Sequence, residues 1–478
     1  MTYSIHNAEI ESLLSSTYTL DQLANIKQWL QEKATLDFVA TPHGLFPAAA
    51  TADAENTGYK NAWVRDNIYV AYAHYITGKP NIAAATLTGL LTYFKKFQFR
   101  FTDIIQSPEL KEQVMRRPHI RFNGETLTEI DEYWEHAQND VLGYFLWLYC
   151  KLSNEEILEY KTALNPEGCE LLLNFVLYFE AIRYWEDADS GHWEEGRKVS
   201  ASSIGPVIAG LKSMQSLISS GKVRSENLGS TQFNTAKSNT AKSNALSAIS
   251  ERIQQLILQG ETALSKILPW ECRNQEQQRR YDAALLFLIY PLNVVNKAQA
   301  QEILADVQHH LTRAHGIQRY PYDSFWCRDF QDLDKSVQTA VYTGRENWLK
   351  ENNRAVKRGE EAQWCIFDSI ISVIYGEWFQ QSQKEEALTQ QTLHLNRALG
   401  QITGAGFTVL SKQGIYSHAE QNVEIPASRA PELYYLQRNE YVPNVSTPLL
   451  WAQANLCIAL EIMERSLKQE RSLKQTHN

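Results

Sequence analysis

VLGYFLWLYCKL (141–152), WCIFDSIISVIYGEWFQ (364–380) and PLLWAQANLCIALEIM (448–463) are apolar nearly all the way round at helical length. Helices of that kind are buried on every side. Other segments are amphipathic: 82–98, 245–267 and 385–400. In the first of them Leu87, Leu90, Leu91 and Phe94 follow the i, i+3, i+4, i+7 stripe. Two kinds of helix together predict a double ring, whose inner members touch both the outer ring and the interior. The expected fold is a single all-α toroid of about twelve helices, starting near residues 20, 67, 82, 140, 167, 203, 245, 281, 297, 364, 385 and 448. Strand-like alternation is scarce, and Gly406–Leu410 is its best candidate.

Bulk properties exclude several function classes. The chain has 478 residues and a net charge of −9, with no Lys/Arg run interleaved with aromatics. That argues against nucleic-acid and anionic-membrane partners, which need a basic face. The longest clean apolar run, Ala283–Leu292, is about half of the ~20 residues a membrane span needs. The N-terminus lacks a basic and then apolar leader. The six cysteines form no C-x-x-C pair and read as buried free thiols. The expected location is therefore cytoplasmic. A charged fraction of 21% rules out global disorder.

Two short duplications carry no chemistry. NTAKS repeats at 234–238 and 239–243 within a polar stretch at about 221–244, read as a surface insert. ERSLKQ repeats at 464–469 and 470–475, read as an extension of the last helix into a charged tail, 466–478. The charged block 340–360 reads as exposed, and Thr447-Pro448 as the cap of the last helix.

The informative pattern is positional. Polar–aromatic clusters lie immediately before the apolar helices: Trp63-Val-Arg65-Asp66, Trp134-Glu-His-Ala-Gln138-Asn-Asp140, His192-Trp193-Glu194-Glu195, Glu360-Glu361-Ala-Gln363-Trp364, and Ser446-Thr447. If these helices line one barrel, their N-termini share a rim and the clusters converge at one mouth, together with free N–H groups. Taken singly, Asp66 and Asp140 are equally N-caps, and each Trp is equally a core residue. The repetition is what points to a site. H-E-x-x-H, G-x-S-x-G and phosphate-loop motifs are missing, so neither metal nor cofactor is expected. Paired carboxylates remain. One must stay protonated to donate and the other must activate water. Trp193-Glu194-Glu195 places a ring and a like charge beside one carboxyl, and both hold its proton.

Residues 44–72, from Gly-Leu-Phe-Pro through Trp-Val-Arg-Asp-Asn, resemble the glucoamylase-like domain of phosphorylase kinase α and β subunits, which belongs to glycoside hydrolase family 15. The likeness continues at 134–140, at Gly191–Glu195 with Ser200–Gly205, at Arg319-Tyr320-Pro321 and at Pro448–Gln453. It implies an (α/α)6 barrel over 35–465, preceded by a helical segment, 1–34. It also implies inverting hydrolysis of α-linked glucose from non-reducing ends of glycogen, starch or maltooligosaccharides. By motif, Glu194 matches the general acid. Glu420, in Gly414-Ile-Tyr-Ser-His-Ala-Glu-Gln, matches the base, with Glu432 in Pro-Glu-Leu-Tyr as its rival. Arg65, Asp66, Glu195 and Arg319 match sugar-binding residues, and Trp63, Trp134 and Trp364 match the pocket walls. The kinase likeness implies an alternative, a non-catalytic glucan-binding regulatory or scaffold protein with a protein partner.

Overall fold

The computed structural model describes residues 3–49, 58–159, 163–223, 239–273, 278–338, 344–412 and 420–476. The helices are α1 (Ala8–Glu11), α2 (Leu20–Glu32), α3 (Val64–Ile76), α4 (Pro80–Lys96), α5 (Phe99–Gln106), α6 (Asn139–Asn154), α7 (Pro166–Ile182), α8 (Ala201–Ser219), α9 (Asn239–Ile267), α10 (Leu286–Ile289), α11 (Lys297–His310), α12 (Arg345–Glu351), α13 (Phe367–Ser382), α14 (Glu385–Gly400) and α15 (Leu450–Thr476).

Their packing closes a ring. Helix α3 contacts α6, α6 contacts α8, α8 contacts α10, α10 contacts α13, α13 contacts α15, and α15 returns to α3. Each inner helix also packs on an outer partner: α4, α7, α9, α11, α14 and, for α15, the N-terminal α2. The double ring expected from the two helix types is the observed (α/α)6 barrel. Its cause is visible in burial. Every residue of α3 from Val64 to His74 is buried, as is α6 from Asn139 to Cys150. The outer α4 buries about half of its residues, among them Leu87, Leu90, Leu91 and Phe94, and leaves the rest to solvent or partly exposed. At ~25 cal/mol per Å² of apolar surface, inner helices buried all round contribute the most to the core.

The fourth inner element is short. Asp282 accepts from the Ala284 N–H at 2.9 Å and opens a 3₁₀ turn, Ala283–Leu285, which runs into α10. Pro291 follows one residue after the last full turn and cannot continue the helical ladder.

Short strands join the leads of the inner helices. β1 (Ala62–Trp63) pairs with β2 (Arg121–Phe122), placing Trp63 opposite Arg121. β3 (Cys272–Arg273) pairs with β4 (Gln278–Arg279). β5 (Gln363–Trp364) pairs with β8 (Leu433–Gln437), which pairs with β9 (Glu440–Pro443). β6 (Thr408–Lys412), at the one strand candidate, pairs with β7 (Glu420–Glu424).

Several local expectations change in three dimensions. Residues 239–244 open α9, while 224–238 lie outside the described residues. In the charged block, α12 buries Arg345, whose Nε donates to the Val337 carbonyl at 2.8 Å. Helix α15 begins at Leu450, two residues beyond Pro448, and the Thr447 hydroxyl turns back to the Asn444 carbonyl at 2.8 Å. The tail continues α15, but Ser466 and Leu467 are buried and Gln469 donates to the Gln380 carbonyl. No helix among the described residues is long and apolar enough to cross a membrane.

Helices α6 and α8 approach each other closely at Gly143. A Cβ at Gly143 would stand 2.5 Å from the Pro206 carbonyl carbon and the Val207 nitrogen, both backbone atoms that cannot swing aside. Gly143→Ala is therefore expected to lower stability by about 1–3 kcal/mol, read as a lower urea midpoint with an unchanged slope.

Candidate active site

The leads of the inner helices meet at one rim. Entering α3, Trp63 donates its indole N–H to Glu194 Oε1 at 3.0 Å. Arg65, in the first turn of α3, donates to Asp140 Oδ2 at 2.7 Å and to Gln138 at 3.2 Å, both at the start of α6. Its other amino group stands 3.6 Å from Glu194. Asp66 and Asp140 thus lie within first turns rather than serving as side-chain caps. Three separate segments are tied together by side chains almost wholly withdrawn from water. A buried pair such as Arg65–Asp140 costs several kcal/mol to break from one side.

Glu194 sits in the left-handed region, φ 55° and ψ 39°, at the end of a 3₁₀ turn, Gly191–Trp193. Such a conformation in a non-glycine residue costs about 1–3 kcal/mol and persists only where its surroundings enforce it. Burial raises its carboxyl above the usual carboxylate range, although Arg65, Gln138, Arg121 and Trp63 oppose the shift. The ring against Glu194 is Trp63. The sequence neighbour Trp193 turns instead to Asp282, donating to Oδ1 at 2.9 Å.

Glu195 behaves in the opposite way. Burial alone would raise it, but Arg279 and then Lys198 hold it well below the usual range. Arg279 donates to its Oε1 at 2.6 Å, Lys198 to the same oxygen at 3.0 Å, and the Tyr320 hydroxyl to Oε2 at 2.6 Å. Two adjacent glutamates are thereby driven apart in acidity. Burial, rather than the adjacent like charge, is what raises Glu194.

On the far side, Arg319 makes a two-pronged contact with Asp323, at 2.6 and 2.7 Å, and lies over Trp364 at 4.9 Å and Trp193 at 5.1 Å. Trp134 meets Trp63 edge-on at 5.8 Å and carries Arg121 over its face at 4.0 Å. Trp193 and Trp364 are 6.0 Å apart. Trp63, Arg65, Asp66, Trp134, Glu194, Glu195, Arg319 and Trp364 therefore form one connected neighbourhood.

Glu432 joins it through the β5–β8–β9 sheet. Its carbonyl accepts from Cys365 N–H at 2.9 Å, beside the Trp364–Leu433 pair. Tyr59 donates to Oε1 at 3.0 Å and Asn444 to Oε2. Burial lifts the Glu432 carboxyl to about 7 despite those donors and Arg319. Both Glu194 and Glu432 act electrostatically on Asp66, which burial raises to about 7 against the pull of Arg65. The same two carboxyls act on Tyr59. The backbone of Glu420 opens β7 opposite Lys412, and its side chain lies outside the described residues.

Tyr59, Arg121, Arg279, Asp282 and Asn444 were not foreseen. Asp282 carries the same signal as the others, a polar residue directly before an apolar run. Arg121 and Arg279 arrive through strand pairing, and Tyr59 and Asn444 through loops that meet at Glu432, none of which single-sequence periodicity encodes.

A helical barrel with two buried, acidity-shifted carboxyls among tryptophans and arginines at one rim defines a glycosidase-type protein. The sequence model described as Glycosyl hydrolases family 15 matches residues 31–456, and the chain belongs to that family. A probable phosphorylase b kinase regulatory subunit alpha from Caenorhabditis elegans is 23% identical over 423 residues, which cover 82% of this chain and 30% of that subunit. This chain thus spans under a third of the kinase subunit. An Escherichia coli lipoprotein, YgeQ, is 24% identical over 205 residues, covering 39% of this chain and 77% of the lipoprotein. Glucoamylase from Saccharomycopsis fibuligera superimposes with a TM-score of 0.55 at 12% identity, covering 97% of each chain. At that identity the likeness defines the fold.

The raised carboxyls predict a pH dependence. A group held at about 7 in the folded chain but near 4 when unfolded stabilises most below pH 4, and that stability is lost as pH rises through 7. Asp66→Asn is expected to flatten this part of the profile and to raise the urea midpoint at pH 8 relative to the parent chain. An unchanged slope of stability between pH 4 and 7 would count against a buried, proton-holding Asp66.

Proposed function

We propose that this protein hydrolyses α-linked glucose from the non-reducing ends of maltooligosaccharides, starch or glycogen, with inversion. Glu194 acts as general acid and Glu432 as general base. The observation that carries the reading is that Glu194 and Glu432, from separate segments, share one buried neighbourhood, where both act on Asp66 and Tyr59. Glu194, buried against Trp63, keeps its proton available for the glycosidic oxygen. Glu432 accepts from Tyr59 and Asn444, one on each oxygen, which orients it toward an attacking water and opposes the burial that raises it to about 7.

In the reaction Glu194 gives its proton to the departing oxygen as the C–O bond breaks. Water attacks the opposite face of the anomeric carbon, and Glu432 takes the proton that water releases. One water is consumed, and the new hemiacetal has the β configuration. Asp66, and Arg65 braced by Asp140, serve the terminal glucose. Arg319, fixed by Asp323 over Trp364, serves as a further sugar contact. Tyr59 orients the base.

Glu432 replaces Glu420 as the favoured base because it is bonded into the same neighbourhood as Glu194. Glu194→Gln and Glu432→Gln are each expected to lower kcat on maltotriose by about 10²–10⁴-fold with saccharide binding kept. Glu420→Gln should stay within a few-fold of the parent. Anomer-resolved NMR should show β-glucose first. No glucose from maltooligosaccharides anywhere between pH 4 and 8 would defeat the hydrolase reading.

The kinase-subunit likeness favours a second reading, a glucan-binding regulatory protein. That reading expects saccharide binding without turnover and a stable complex with a kinase or glycan enzyme.

A further inference from the structure

Arg279 stands outside the motifs that carry the family likeness. It ends β4, and the Cys272–Arg279 pairing delivers it to the rim. One of its amino groups, Nη1, bridges Glu195 at 2.6 Å and Asp282 at 3.0 Å. Its guanidinium carbon lies over Tyr320, 3.5 Å from the ring centre. Tyr320 in turn donates to the second oxygen of Glu195, and Lys198 shares the first. Both Glu195 oxygens are thus engaged by protein donors, which limits its capacity to receive sugar hydroxyls. Arg279 itself is not exhausted. Among the described residues, the hydrogen bonds it makes use Nη1 alone, and 21% of its side chain is exposed.

The side of the sugar it faces follows from the acid. Glu194 must reach the glycosidic oxygen, which leaves with the departing group. Trp63 and Arg65 hold Glu194, whereas Glu195, the next residue in the chain, is held by Arg279 and Tyr320.

We propose that Arg279 is a specificity-determining residue of the leaving-group subsite: it locks the Glu195 carboxylate in place and offers its remaining N–H groups to the hydroxyls of the departing sugar. Glu195 is then chiefly a positioning residue, in place of the direct sugar ligand that the motif implies. The inference rests on the hydrolase reading for which flank receives the leaving group.

Two substrates separate the roles. Maltose leaves as a sugar, whereas α-glucosyl fluoride leaves as fluoride and offers no hydroxyls. In Arg279→Met the ratio of kcat/KM for maltose to that for α-glucosyl fluoride should fall about 10-fold, the effect of one charged hydrogen bond. Arg279→Lys, which restores the charge without the planar fork, should recover part of the ratio. An equal loss on both substrates, or an unchanged ratio, would overturn the proposal and leave Arg279 a structural residue. Calorimetry reads the same contrast without turnover: maltose affinity should weaken about 10-fold more than glucose affinity in the Met variant. If the parent chain turns over neither substrate the hydrolase reading fails by itself, and the maltose-to-glucose binding ratio still decides on Arg279.

Discussion

A helix buried on every side can place charge only at its ends, and this constraint organises the whole molecule. The inner helices from α3 to α15 fill the ring with apolar side chains, so their polar residues are displaced to the segments that lead into them. Those leads converge, and a set of carboxyls and guanidinium groups is forced into a small, dry volume. Arg65 bridging Asp140 and Glu194 is the tightest expression of it: three leads held by one cation. Remove the closed ring and none of these groups would be desolvated enough to change its acidity.

Desolvation then does selective work, because neighbours differ. Glu194 and Glu195 are adjacent in sequence, the first buried and the second half-buried. One meets an indole N–H and a shared arginine, the other two cations and a phenol. The first is pushed up and the second down. A raised and a lowered carboxyl thus arise from one dipeptide, and the left-handed turn at Glu194 points the two carboxyls to different partners.

Fold class was legible in detail. The all-round apolar helices and the striped ones sorted into inner and outer rings as their patterns require, and the strand candidate Gly406–Leu410 overlaps β6, Thr408–Lys412. The site was legible in outline, since Trp63, Arg65, Asp66, Trp134, Glu194, Glu195, Arg319 and Trp364 do gather at one rim. Of the two sequence candidates for the base, Glu432 lies just before β8 and is bonded into this rim by Tyr59, a placement that spacing along a loop does not encode. Trp193 was misjudged as the ring beside Glu194, since a chain neighbour in a tight turn faces away.

The chain by itself determined the ring of helices and the polar leads, because burial period and length are local properties of side chains read in order. Tertiary structure alone decided which carboxyl faces which donor. Those pairings join residues as distant as Tyr59 and Glu432, or Glu195 and Arg279, through strand registers and ring closure that no local pattern records.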